Sequence, residues 1–176
     1  GVALAHKDKG RHIITSKIEH SAIYASCKQL ETLGFEVTYL DVDSEGFVSS
    51  DTLKNAIKND TILVSIMFAN NEIGTIEPIK ELCAIAHEKG VLFHTDAVQA
   101  AGSVKLDVKD LGVDLMSISS HKFYGPKGVG ALYVRNGVKI EKLISGGEQE
   151  RSKRGGTTNV PGVVGMAKAL KKACSE

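Results

Sequence analysis

The sequence predicts an α/β fold, a three-layer sandwich in which a mostly parallel sheet lies between helices. Three observations carry this: short continuous Val/Ile/Leu-rich runs recur along the chain, helical patterns fall between several of them, and no run is longer than a strand. Strands that are apolar along their whole length are buried on both faces, and parallel sheets covered by helices need such strands.

The elements follow in order. Val2-Ala3-Leu4-Ala5-His6 reads as the end of a helix whose beginning would precede Gly1. A strand is expected at 12–15, then a helix at 23–33 and a strand at 36–41. Asp41-Val42-Asp43-Ser44-Glu45-Gly46 resembles the opening of a calcium loop, but the twelfth position is Thr52 and no helix–loop–helix frame surrounds it, so it is read as a turn. A helix at 51–58, a strand at 61–67, a helix at 79–89 and a strand at 91–95 come next. Leu111 to Ile118 reads as a buried run, with the strand itself placed at 114–119. Gly125, Pro126, Gly128 and Gly130 then punctuate the chain before a strand at 130–134. That connection is too short for a crossover helix, which makes the last strand antiparallel. A helix at 163–173 closes the pattern, and no internal repeat is evident.

At 176 residues, 42% hydrophobic and 24% charged, the chain suits one globular domain. The net charge of +1, with both signs interspersed, offers no electrostatic attraction to nucleic acid or an anionic membrane. No N-terminal signal pattern appears, so a soluble, cytoplasmic protein is expected. Cys27, Cys83 and Cys174 lie far apart without metal-binding spacing, which points to reduced thiols and no metal site. Cys27 and Cys83 fall in helical patterns and read as small apolar fillers.

The chemistry concentrates after two of the strands. Ser119-Ser120-His121-Lys122-Phe123-Tyr124-Gly125-Pro126-Lys127-Gly128 ends an apolar strand, presents a lysine and then forbids helix. Leu92-Phe93-His94-Thr95-Asp96-Ala97-Val98-Gln99 ends another strand in an acid, followed three residues later by an amide. In α/β sheets, sites form at strand ends. A lysine and a carboxylate at neighbouring strand ends suit pyridoxal phosphate, an electron sink held through a lysine Schiff base with an acid at its pyridine nitrogen. Singly, each has a plainer reading: Lys122 as a solvated charge, Asp96 as a helix cap, Gln99 as a helix-surface residue, His20 as a polar group opening a helix, and Asn70-Asn71 with Gly74 as a turn. Gly125 to Gly130 leads into a strand rather than a helix and lacks the Gly-Lys-Ser/Thr ending of a phosphate loop.

Taken together, Ile18-Glu19-His20-Ser21-Ala22, Ser65-Ile66-Met67-Phe68-Ala69-Asn70-Asn71-Glu72-Ile73-Gly74, His94-Thr95-Asp96-Ala97-Val98-Gln99, Ser119-Ser120-His121-Lys122 and Arg151-Ser152-Lys153-Arg154-Gly155-Gly156-Thr157 resemble the cysteine desulfurase family. This is the class V branch of fold-type I pyridoxal-phosphate enzymes, and the five stretches occur in family order across nearly the whole chain.

The resemblance implies a pyridoxal-phosphate-dependent transferase large domain over residues 1–176, truncated at both ends and lacking the small C-terminal domain. It makes Lys122 the cofactor-bound lysine and the base for the substrate α-proton. His20 becomes the imidazole that stacks on the ring and handles protons, Asp96 the pyridinium partner, and Gln99 the donor to the ring phenolate. Ser119 and His121 become phosphate ligands, Asn71 an amide near the ring and the substrate carboxylate, and Thr157 a residue reaching the phosphate of a neighbouring subunit. A phosphate with about two negative charges suits such hydroxyl and imidazole donors. The implied reaction converts L-cysteine to L-alanine in a homodimer and passes sulfur to an acceptor such as an iron–sulfur scaffold protein. Selenocysteine lyase and class V aminotransferase activities are the rival chemistries, and a non-catalytic folded domain is the rival from another class. The sulfur-carrying cysteine and the arginine for the substrate carboxylate are expected outside this chain, because Cys174 does not match the family's cysteine loop.

Overall fold

A computed structural model describes residues 1–175. Six strands form one sheet in the order β2-β1-β3-β4-β5-β6, comprising β1 (His12–Ser16), β2 (Glu36–Leu40), β3 (Thr61–Ser65), β4 (Leu92–Asp96), β5 (Leu115–Ser119) and β6 (Gly130–Val134). β1 to β5 pair in parallel, and β6 pairs antiparallel with β5 as the short connection requires.

Helices α1 (Val2–His6) and α2 (Ser21–Thr32) supply Ala3, Leu4 and Leu30 to one face of the sheet, against Ile13 and Ile62. Helices α3 (Ser50–Ala56), α4 (Ile79–Glu88) and α5 (Val108–Leu111) cover the other, where Leu53, Ile79 and Leu82 meet Ile14, Val64, Phe93 and Met116. Three layers follow because each strand offers apolar side chains to both sides. Among the described residues, no helix is long and apolar enough to cross a membrane.

Two buried histidines staple the sheet from within. His12 on β1 bonds Thr61 Oγ1 on β3 at 2.7 Å and Thr38 Oγ1 on β2 at 2.8 Å. His94 on β4 bonds Ser65 Oγ on β3 at 2.8 Å and Ser117 Oγ on β5 at 2.9 Å. Each imidazole satisfies both of its nitrogens on neighbouring strands, which is what allows it to be buried.

The expected boundaries shift in instructive ways. β3 stops at Ser65 rather than at 67: Ile66 still bonds the His94 carbonyl, but the Met67 N–H is taken by the Glu19 carboxylate. β5 begins at Leu115, because Asp114 turns its side chain into a buried cluster of its own. α5 was not anticipated, and neither was the single turn α6 (Gln149–Ser152), in which Glu150, Arg151 and Ser152 have positive φ. The segment around Asp43 is a turn, with Asp43 Oδ1 accepting from the N–H groups of Glu45 and Phe47. The long C-terminal helix α7 (Val160–Ala173) packs Met166, Ala169 and Leu170 onto Phe123 and Ala101. It thereby fixes the turn that carries Lys122.

Candidate active site at the carboxyl ends of the strands

Strand order places a switch point between β1 and β3. From β1 the chain moves outward to β2, then returns across the sheet to β3 and continues toward β6. Crevices at such points, outside the carboxyl ends of the strands, are where open α/β sheets bind ligands. The connections leaving β1, β3, β4 and β5 all emerge on this edge. They carry His20, Asn71, Asp96 with Gln99, and Ser119 with His121 and Lys122.

His20 is the N-cap of α2, its Nδ1 accepting the Ala22 N–H at 3.2 Å. That bond leaves the proton of a neutral imidazole on Nε2, at the exposed side of the ring. The helix-opening role and a site role are therefore compatible. Asn70 builds the turn after β3: its Oδ1 accepts from the N–H groups of Glu72 and Ile73, and its Nδ2 donates to the Ile18 carbonyl at 2.8 Å. Asn71 beside it is exposed.

Asp96 is 8% exposed and ends β4. Its Oδ1 accepts the Val98 N–H at 3.0 Å, the cap-like bond its sequence position suggests. Gln99, half-buried, lies in the turn that follows. Beyond β5, Ser120–Phe123 forms a 3-10 turn whose Ser120 and Phe123 are buried while His121 and Lys122 face outward. Tyr124 closes the turn in the left-handed region at φ 63°. Gly125 must be glycine, since a Cβ there would stand 2.1 Å from Ser120 Oγ. Ser119 Oγ and His121 Nδ1 are 2.8 Å apart and form a paired hydroxyl and imidazole at the edge. Thr157 stands apart: it is exposed in the segment before α7, and no hydrogen bond among the described residues ties it to the strand-end groups.

The donor set fits pyridoxal phosphate. Among the described residues no cation pairs with Asp96, and only its Oδ1 is hydrogen-bonded, so a nearly buried carboxylate keeps an oxygen able to accept from a protonated pyridine nitrogen. Lys122 likewise makes no hydrogen bond or ion pair among the described residues. Ser119, His121 and the Lys122 turn offer the hydroxyl, imidazole and amine that a phosphate-bearing aldehyde requires.

The aminotransferase class-V family model matches residues 2–175. The chain belongs to that family. A cysteine desulfurase, IscS, of Clostridium botulinum (strain Hall) is 64% identical over 173 residues, covering 98% of this chain and 44% of the relative. Among solved structures, a NifS-like protein superposes with a TM-score of 0.96 at 48% identity, covering 99% of this chain and 48% of that one. SspA in complex with cysteine follows at 0.93 and 42% identity, covering 97% of this chain and 50% of that one. The chain thus spans about half the length of the class-V relatives it matches.

Several functional groups gave no signal strong enough to single out. Glu19 sits in the connection from β1 to α2, its Oε1 accepting from Ser16 Oγ and the Met67 N–H, each at 2.8 Å. Burial, then the charges of Asp96 and Glu77, push its carboxyl up to about 7, against the pull of its two hydrogen bonds. Glu77, 3% exposed, receives only the Val48 N–H, and burial raises it to about 7 as well. The family pattern contained Glu19 next to His20, but its partner Met67 lies too far along the chain to be read. Cys27 and Cys83 are buried as the filler reading requires, burial lifting their thiols to about 11 and about 12, whereas Cys174 is exposed at the end of α7.

These groups make stability depend on pH. A carboxyl raised from 4.5 to about 7 holds its proton only in the folded state, so its contribution is lost as pH rises through that window, on the order of 2–3 kcal/mol for each of Glu19 and Glu77. His94, lowered by burial to about 4, acts oppositely and adds a similar amount as pH rises from about 4 to 6.5. His12, lowered in the same direction chiefly by its burial, adds a second gain up to about pH 6.5, so the carboxyl losses act unopposed only above it. Urea unfolding should therefore show stability falling between about pH 6.5 and 7.5, with about half of the fall removed by Glu77→Gln. Stability that rises over that interval in the wild type contradicts the assignment.

Proposed function

We propose that this chain is the cofactor-binding core of a pyridoxal-phosphate-dependent cysteine desulfurase, a homodimeric, cytoplasmic enzyme that converts L-cysteine to L-alanine and delivers sulfur to an acceptor protein. The reading takes residues 1–176 as part of the large domain, with the small domain and the sulfur-accepting cysteine supplied by other segments. The observation that carries it is the placement of a lysine and a nearly buried carboxylate, neither with an ion-pair partner among the described residues, at or just after the ends of adjacent strands in a chain 64% identical to a cysteine desulfurase. The cysteine bound to SspA supports the substrate class, and the IscS name of the relative fits an iron–sulfur scaffold as acceptor.

In this reading the cofactor supplies a sink for electrons at the substrate α-carbon. Lys122 would hold it covalently and would serve as the base for the substrate α-proton. Asp96 keeps the pyridine nitrogen protonated. His20, with its Nε2–H exposed, stacks on the ring and transfers protons, while Gln99 donates to the ring oxygen. Ser119, His121 and, from the second subunit, Thr157 hold the phosphate. Asn71 orients the substrate carboxylate. A thiolate from outside this chain would take the substrate sulfur as a persulfide as the C–S bond breaks, and alanine would form once Cβ is protonated and the proton held by Lys122 returns to the α-carbon.

Reduction with borohydride tests the reading on the full-length polypeptide carrying this chain. Pyridoxal phosphate should give a yellow protein whose reduced adduct maps by peptide analysis to Lys122, and added cysteine should yield alanine rather than a keto acid. A folded protein without an adduct at Lys122 refutes the cofactor assignment; keto-acid formation would favour an aminotransferase.

A further inference from the structure

At the switch point between β1 and β3 lies a carboxyl group that the proposed chemistry does not use. Glu19 immediately precedes His20, and its Oε1 accepts the Met67 N–H across the switch point at 2.8 Å. Met67 is one residue before Phe68, whose N–H bonds the carbonyl of Asp96 and extends the pairing of β3 with β4. A continuous path of hydrogen bonds therefore runs from the acid at the end of β4, through the tail of β3, to the residue beside the imidazole. Asn70 adds a second stitch in the same direction by donating to the Ile18 carbonyl.

The geometry singles out Glu19 over its neighbours. Its second oxygen, Oε2, is shut off from solvent without a hydrogen-bond partner, a costly arrangement for a side chain that had only to cap a turn. Three groups oppose or feel its charge: Asp96 from β4, Glu77 from the turn before α4, and Cys27 from α2. A surface-seeking carboxyl retained at this depth must be held by what it bonds: Ser16 at the end of β1 on one side and the Met67 amide beyond β3 on the other.

Resting on the reading of this crevice as a pyridoxal-phosphate site, we propose that Glu19 is a positioning residue: its carboxyl fixes the His20 turn to the Met67 amide and so sets the imidazole over the ring that Asp96 anchors. Glu19 does not touch the cofactor; it acts through His20. The amide of glutamine keeps an Oε1 that accepts the same N–H, whereas alanine leaves the Met67 amide unbonded and frees the turn.

The test uses the full-length protein, stripped of cofactor and titrated with pyridoxal phosphate, in wild type, Glu19→Gln, Glu19→Ala, His20→Ala and the Glu19→Ala/His20→Ala double variant. Glu19→Ala should weaken binding about tenfold, the size expected for coupled neighbours, and move the visible circular-dichroism band of the bound cofactor in the same sense as His20→Ala. The double variant should bind no more weakly than His20→Ala alone, and Glu19→Gln should stay within about twofold of wild type. Should Glu19→Ala fail to fold, Glu19→Asp, one methylene too short for the Met67 amide, takes its place. Losses that add in the double variant, or an unchanged band and affinity in Glu19→Ala, overturn the proposal while leaving the site reading intact. A wild-type protein that binds no pyridoxal phosphate refutes the site reading itself.

Discussion

On the proposed desulfurase reading, Lys122→Ala in the full-length protein is expected to lower cysteine turnover by about 10²- to 10⁴-fold, the range attached to loss of a positioned proton-transfer group, while leaving the melting temperature almost unchanged. The separation of the two effects comes from the turn. Ser120 and Phe123 are the buried residues of Ser120–Phe123, and α7 packs on Phe123 rather than on the lysine. Lys122 points outward without a partner among the described residues, and removing such a side chain costs within about 0.5 kcal/mol of stability. Turnover and Tm measured on the same preparation decide the matter. Turnover within tenfold of wild type removes Lys122 from the chemistry; a collapse of Tm instead makes it a structural residue. Lys122→Arg should be as inactive as the alanine variant, because a guanidinium keeps the charge but supplies neither a nucleophilic amine nor a base.

Most strands were legible as short apolar runs, Ile62-Leu63-Val64 in β3 and Ile13-Ile14, Leu92-Phe93 and Leu115-Met116 in β1, β4 and β5, even though polar residues such as His12, His94 and Ser117 lie within the last three strands named. The antiparallel β6 followed from the length of one loop. α5 escaped because four residues are too few for helical periodicity, although Asp107 as N-cap and Gly112 at φ 77° mark both of its ends. α6 left no trace, since its left-handed residues are Glu150, Arg151 and Ser152 rather than glycines. At the candidate site, Asp96 could be noticed because it ends β4, and Lys122 because it lies in the turn directly after β5; neither needs a distant partner to be noticed. Asn70 was read only as part of a turn, whereas its amide also ties that turn to Ile18. Glu19 and Asp114 were illegible for a common reason. Their roles are defined by backbone amides that come close only after the sheet has formed, at Met67 for one and Phe93 for the other.

Asp114→Ala should destabilise the fold by about 3–5 kcal/mol, the cost of removing one partner from a buried charge cluster. The carboxylate is fully buried, just ahead of β5. Its Oδ2 accepts the Phe93 N–H at 2.7 Å and meets His87 Nε2 at 2.8 Å, and its Oδ1 pairs with the Arg135 guanidinium. Backbone bonds reinforce the same junction, with the Asp114 N–H donating to the Phe93 carbonyl and the Arg135 N–H to that of Asp114. One side chain thus joins the start of β4, the end of α4 and the exit of β6. Alanine leaves the Phe93 amide buried without an acceptor and the half-exposed Arg135 without its anion, so the loss exceeds that of a surface ion pair, worth at most about 1 kcal/mol. At about 2–4 °C per kcal/mol for a chain of this size, Tm should drop by about 10 °C. Asp114→Asn keeps an acceptor for Phe93 and should lose roughly half as much. The cluster lies at the amino ends of β4 and β5, a strand length of roughly 15 Å from the edge that carries Lys122, so the folded fraction of either variant should bind pyridoxal phosphate as the wild type does. A loss below about 1 kcal/mol in Asp114→Ala would mean that the histidine and arginine find other partners and that the cluster does not hold this end of the sheet.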